Sequence, residues 1–171
     1  MKMGKEKFMI PAVTAIVVKE TDGVKYLLLQ ERWKNNPLED GLLEIPGGKI
    51  SEYENIFDSL RREVMEETGY FVKKIYGEEN STFVEFNGYK VLNYEAFASA
   101  QNLEKNYPIM TQFFICEVEG EKLEKTNETQ NIKWFSLAEV SLLINKSPEK
   151  FYPMHINSIR KYLADNSNFI F

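Results

Sequence analysis

The sequence predicts an α+β fold in which a mixed β-sheet is packed between helices. Three observations carry that reading. Runs rich in β-branched and aromatic residues recur through the chain, and two pairs of them are joined by short Asx-Gly turns. One clear helical stretch interrupts the strands, with Ile56, Leu60 and Val64 recurring every four residues. Further helical stretches follow the last strand, which favours helices on a sheet over an all-β or all-α chain.

The elements follow in order. Residues 10–20 and 24–32 flank Thr21-Asp22-Gly23 and read as a hairpin. The run at residues 24–29 is apolar enough for burial on both faces. Residues 33–41 form a polar loop with Asn35-Asn36-Pro37 as its turn signal, and residues 42–46 lead into Gly47-Gly48. The helix covers residues 56–68, with Asn55 as N-cap and Gly69 as the C′ glycine. Strands are expected at residues 70–76, 81–86 and 89–98, the last two joined by Asn87-Gly88, and then at 109–118 and 132–135. Ser136-Leu137-Ala138-Glu139 is a capping box that opens a short helix to about Asn145. Ser147-Pro148 opens a helical turn. Pro153 suits position N1 of a last helix carrying Ile156, Ile159, Tyr162 and Leu163 on one stripe. A single domain is expected over residues 1–171, with residues 1–8 a flexible N-terminus.

Composition narrows the chemistry. The 171 residues hold 21 Lys+Arg and 26 Asp+Glu, a formal net charge of −5, with one histidine, His155, and one cysteine, Cys116. A lone cysteine forms no intrachain disulfide, and one His with one Cys cannot build the usual zinc site. A metal would be held mostly by oxygen, which points to Mg²⁺, Mn²⁺ or Ca²⁺. No G-x-S-x-G elbow accompanies the histidine. No signal peptide or membrane span is read, so the expected compartment is cytoplasmic. The acidic balance argues against long nucleic acid, but a metal can reverse the sign of a local site, so small phosphorylated ligands stay open.

The informative segment is the helix at residues 56–68. Glu63, Glu66 and Glu67 stand at i, i+3 and i+4, within a sector of roughly 100°. Like charges at these spacings repel by about 0.2–0.5 kcal/mol per pair. Glu66 and Glu67 also occupy the last turn, where the helix dipole disfavours anions, and Arg61 and Arg62 precede them in the opposite sense. A bound divalent cation would offset both penalties. The apolar stripe lies beside the carboxylates, which places them at the edge of a buried face. Arg62, four residues before Glu66, can pair with it.

The spacing Gly48, Glu54, Arg62-Glu63-Val64, Glu66-Glu67, Gly69-Tyr70 resembles the Nudix box, Gly-x5-Glu-x7-Arg-Glu-U-x-Glu-Glu-x-Gly-U, where U is bulky and aliphatic. All seven fixed residues match, and Tyr70 is a conservative mismatch at the final U. The chain is thereby identified as a member of the Nudix hydrolase family. Leu43-Glu44-Ile45-Pro46 before the box and the late segment 132–137 fit the family's outline. Many family members carry Glu and Gly where this chain has Ser51 and Tyr53, so the turn before the helix is expected to differ.

The resemblance implies a Nudix-type α/β/α sandwich. It also implies hydrolysis of a nucleoside diphosphate linked to another group, with Mg²⁺ or Mn²⁺ as cofactor. It makes Glu63, Glu66 and Glu67 metal ligands, with Glu54 an optional one, and makes Arg62 their orienting partner. Gly47 and Gly48 offer close backbone approach for substrate and a carbonyl for the metal. The general base is a box glutamate or a later one, for which Glu128 is the candidate. Arg32 is a candidate for phosphate contact, against an ordinary ion pair. Trp33, Tyr89 and Phe113 could stack a base, though core packing is the better expectation for each. His155 and Cys116 read as structural. Expected partners are small nucleotide-type substrates, and many relatives are homodimers, though nothing in this sequence sets the oligomeric state. No proline lies between Tyr70 and Tyr107, so an ADP-ribose assignment gains no support. A nucleotide sensor without turnover is the alternative function.

Overall fold

A computed structural model describes residues 6–104 and 107–166. Of the segment expected to be flexible, residues 1–5 lie outside the described residues. Among those described, an eight-stranded sheet is the spine. β1 (Ile10–Thr21) turns into β2 (Val24–Arg32) through Asp22 and Gly23 at φ 52° and 74°, the paired positive values of a type I′ turn. β1 then pairs in parallel with β9 (Ile109–Glu119) at the centre of the sheet. The path runs β10 (Thr129–Ser136), β2, β1, β9, β5 (Phe71–Ile75). Three short strands join its edges: β3 (Leu43–Glu44) on β2, β4 (Gly47–Lys49) on β1, and β8 (Ala98–Gln101) on β9.

Alternation along the central strands separates two cores. Val13, Ala15, Val17, Leu28 and Phe114 face α1 (Ile56–Thr68) and meet its stripe Ile56, Leu60 and Val64. Ile16, Val18, Leu27, Leu29 and Phe113 face the other way, toward α2 (Leu137–Lys146) and α3 (Pro153–Asn166). The result is the expected α/β/α sandwich. The caps are also as expected. Asn55 accepts from the Phe57 amide, Gly69 is left-handed at φ 82°, Ser136 and Glu139 close a capping box, and α3 begins at Pro153. A 3₁₀ turn at Pro148–Lys150 joins α2 to α3. Among the described residues no helix is long and apolar enough to cross a membrane.

The structure corrects several expectations. Residues 47–49 form a strand although two are glycines. A Cβ on Gly47 would collide with the Val13 carbonyl oxygen on the partner strand, so only glycine allows this approach. The expected strand at 89–98 divides. β6 (Thr82–Phe86) and β7 (Tyr89–Asn93) make a separate hairpin, and the chain then crosses to β8. The crossing is driven by packing: Tyr94 and Ala96 join the α1 side, and Phe97 joins the opposite core. The last strand is longer than expected, Thr129–Ser136, with a bulge where Asn131 takes φ 52°. Phe113 is fully buried as expected, and Cys116 and His155 are buried too. Trp33 and Tyr89 are not core residues. They are 46% and 70% exposed, Tyr89 because it follows the tip of the stand-off hairpin.

Candidate active site at the C-terminal half of α1

Packing of Ile56, Leu60 and Val64 sets the rotation of α1, and that rotation grades the three glutamates by depth. Glu67 is buried at 4% exposure, Glu63 lies half-sheltered at the edge, and the Glu66 side chain is 56% exposed. The expected placement at the edge of a buried face holds for Glu63. Glu67 goes deeper than that expectation.

Arg62 organises the outer part. Its Nε donates to Glu54 Oε1 at 2.8 Å and its Nη2 to Glu54 Oε2 at 2.9 Å. Nη1 reaches Glu63 at 2.6 Å and Glu66 at 3.3 Å, and Nη2 also donates to the Lys49 carbonyl. One guanidinium thus bridges three carboxylates, which offsets part of their mutual repulsion. The bidentate bond holds the Glu54 carboxyl far below its usual range, at about 2. Glu63 moves the other way, because burial raises it more than Arg62 lowers it. In the turn before the helix Tyr53 is left-handed, at φ 62°. Within it the Ser51 amide donates to Glu54.

The inner part is held differently. Glu67 accepts from Gln30 Nε2 at 2.7 Å, from the Gly47 amide at 3.0 Å and from Lys34 Nζ at 3.2 Å. Burial and then the neighbouring Glu44 push the Glu67 carboxyl up; Lys34 and these hydrogen bonds oppose that. Glu44 is buried beside Arg32, which bonds it at 2.9 Å. Arg32 also bonds Glu39 at 2.8 Å and lies over the Tyr152 ring at 4.4 Å. Its guanidinium is therefore committed to a largely buried ion-pair network, not to a surface pair. The buried atoms Glu44 Oε1 and Gln30 Oε1 have no hydrogen-bond partner among the described residues.

Glu128, far away in sequence, is brought to the same place. The Trp33 amide donates to its carbonyl at 2.7 Å, and Lys34 Nζ meets its carboxylate at 2.5 Å. Thr129 Oγ1 donates to the Glu67 carbonyl at 2.9 Å, which ties this turn to the end of α1. Lys34 holds the Glu128 carboxyl below its usual range.

These groups border a cavity of about 530 Å³. Gly47, Gly48, Glu63, Glu66 and Glu128 line it together with Arg32 and Lys34, and Lys49 lines it with its ammonium over the Tyr107 ring at 5.0 Å; Tyr152 and His155 complete the wall. His155 Nδ1 accepts from the Ile45 amide at 3.2 Å, which requires an unprotonated Nδ1. Burial drops this imidazole to about 3, so it is neutral. Sequence reasoning missed Lys34, Glu44, Lys49, Tyr107 and Tyr152. Glu44 and Lys49 flank the glycine pair, which was a usable signal. Lys34 and Tyr107 sit in polar loops whose path is not local information.

Three comparisons bear on this geometry. The family model described as NUDIX domain matches residues 9–155. The chain belongs to the Nudix hydrolase family. Among curated proteins, this Nudix chain is 31% identical over 164 residues to the mRNA-decapping enzyme subunit 2 of Saccharomyces cerevisiae, covering 95% of this chain and 14% of the yeast protein. It thus spans only about a seventh of that relative's length. It is 39% identical over 51 residues to the 8-oxo-dGTP diphosphatase of Buchnera aphidicola, covering 30% of this chain and 37% of the relative. Among solved structures, the NUDIX domain of Shewanella oneidensis NrtR, complexed with ADP ribose, matches with TM-score 0.65 and 19% identity over 95% of this chain and 91% of that one. A C. elegans Ap4A hydrolase matches with TM-score 0.58 and 17% identity over 94% and 100%. At these identities the structures establish the shared fold.

Nudix hydrolases generally use divalent metal ions. The donor chemistry here suits one. Every charged donor is a carboxylate, one buried oxygen of Glu44 is unpartnered, and the Glu63 carboxylate lies where a Cβ on Gly48 would overlap it. Among the described residues, however, no three His, Cys, Asp or Glu side chains converge as a ready ligand set. Glu63 and Glu66 are turned to Arg62, and Glu67 to Lys34.

Proposed function

We propose that this Nudix hydrolase cleaves a phosphoanhydride bond in a nucleoside diphosphate linked to another group, by attack of water on phosphorus, with Mg²⁺ or Mn²⁺. The carrying observation is the gathering of Glu63, Glu66, Gly47-Gly48 and Glu128 on one cavity that also holds Arg32, Lys34 and Lys49, with Glu67 bonded to Gly47 and Lys34 just behind its wall. A divalent cation, when bound, would neutralise phosphate charge and acidify the attacking water. Glu63, Glu66 and Glu67 would hold it, with the Gly47-Gly48 backbone beside them. Arg62 would orient Glu63 and Glu66. Glu54, whose two oxygens are both bonded to Arg62, would act chiefly by fixing that guanidinium. Glu128 and the box glutamates are the candidates to take the proton of the attacking water, and the turn at 126–129 puts Glu128 within reach of Lys34 and the cavity. Lys49 would face the phosphates, while Arg32 would brace the cavity wall through Glu39 and Glu44. Small nucleotide-type substrates suit a cavity of this size, and a formal net charge of −5 gives no electrostatic reason to expect long nucleic acid.

The test is a substrate panel with product analysis, run with Mg²⁺, with Mn²⁺ and with EDTA. It holds nucleoside triphosphates and their oxidised forms, nucleotide sugars, dinucleoside polyphosphates and, because the yeast relative is named for mRNA decapping, a capped RNA. We expect turnover of a member of the panel that EDTA abolishes and that Glu66→Gln lowers by orders of magnitude. Activity in excess EDTA would refute metal dependence. A panel that is bound but never cleaved would favour the sensor reading.

A further inference from the structure

Lys34 lies outside the box, yet it is the cation that joins the two halves of the site. Its ammonium bridges Glu67 Oε1 at 3.2 Å and Glu128 Oε2 at 2.5 Å, one from α1 and one from the turn at 126–129. Burial alone would lower the Lys34 pKa, but Glu67, Glu128 and Glu44 outweigh it and keep the ammonium charged. Three cations that pair with the carboxylates of the site are held unequally. Arg62 and Arg32 are planar forks, each bonded to two or more carboxylates and further braced by a carbonyl or a ring. Among the described residues the Lys34 ammonium has direct ion pairs with these two carboxylates and no carbonyl or ring brace, on a flexible stem that lines the cavity. Its backbone is anchored separately, by its amide on Asp40 at 2.8 Å. It can therefore change partners without moving the chain.

We propose that Lys34 is the built-in counter-ion of the site: it occupies Glu67 and Glu128 while no divalent cation is held, and passes to the diphosphate of the substrate when a cation takes the carboxylates. The proposal rests on the metal-dependent reading above. Its physical basis is that a divalent ion on Glu67 and an ammonium on the same carboxylate are like charges a few ångströms apart, so each weakens the other. The diphosphate supplies negative charge at the cavity that Lys34 lines, so the ammonium keeps a partner throughout. Lys34 is thus a positioning residue in the metal-free site and a phosphate contact in the loaded one.

The test uses the full chain without substrate. Mn²⁺ is titrated calorimetrically at pH 8, where protons compete least for the carboxylates. Lys34→Gln is expected to bind Mn²⁺ about fivefold tighter or more, and Lys34→Arg to stay near wild type. ADP titrated into Mn²⁺-loaded protein should then bind about fivefold weaker or worse to Lys34→Gln. Lys34→Met keeps the stem and should show the same two signs if Lys34→Gln folds poorly. Wild type that binds Mn²⁺ while neither neutral variant binds it tighter overturns the counter-ion role alone. Unchanged ADP affinity in those variants overturns the transfer to phosphate. Absence of Mn²⁺ binding in every protein overturns both this proposal and the metal-dependent reading.

Discussion

Tyr53 shows a residue working against its own geometry. It adopts φ 62° with its side chain fully in solvent, 98% exposed, so the ring returns little for the strain. A left-handed conformation costs an L-residue roughly 1–2 kcal/mol, and glycine avoids that cost. Tyr53→Gly is therefore expected to stabilise the protein by about 1 kcal/mol in urea unfolding, and a loss of stability would contradict the argument. His155 yields a pH prediction. Its folded pKa is about 3 against an ordinary 6.5, so between those values the unfolded chain binds the extra proton. The stability of the neutral ring is complete above pH 6.5 and is lost as pH falls toward 3. His155→Asn keeps an acceptor for the Ile45 amide and removes the titration. The stability gap between wild type and this variant should narrow by up to about 1.4 kcal/mol per pH unit through that window. A gap constant from neutral pH to pH 4 would sink the explanation.

At the scale of the element, α1 is ordered by packing and capping and opposed by its own charges. The Asn55 cap, the left-handed Gly69 and the buried stripe secure it. Glu66 and Glu67 burden its C-terminal turn, where no basic residue stands. Arg62 relieves part of the repulsion and leaves the dipole penalty in place. Glu66→Gln should thus leave the metal-free stability unchanged or raise it by about 0.3–1 kcal/mol, while removing most turnover. A clear fall in melting temperature without metal would show that Glu66 is structural. The helix was legible in sequence because its period, caps and box spacing are all local. β4 was not, since glycines argue against a strand until the Val13 backbone and the Glu63 carboxylate are seen on either side of them.

At the scale of the molecule, the cavity draws on β1, the end of β2 and the loop after it, β3, β4, α1, β9, the turn at 126–129 and the beginning of α3. Carboxylates gathered from such distant segments should make the fold respond as one unit to a cation. At a hundredfold excess over its dissociation constant, Mg²⁺ should add about 2.7 kcal/mol. For a chain of this size that is a rise in melting temperature of roughly 5–10 °C, which Glu66→Gln should diminish. A melt indifferent to Mg²⁺ would weigh against the metal-dependent reading.

The class of fold, the apolar stripe of α1, the caps and the seven residues of the box were legible along the chain, because each is a matter of spacing within one element or of the order of elements. The sequence by itself also excluded nitrogen- and sulfur-rich metal sites by simple count. Tertiary structure alone decided how deep each glutamate sits, that Arg32 is spent on Glu39 and Glu44, and that Lys34 joins Glu67 to Glu128. The reason is physical. Depth and partner choice depend on what the sheet and the loops carry to the far side of a helix, and local periodicity holds no record of that.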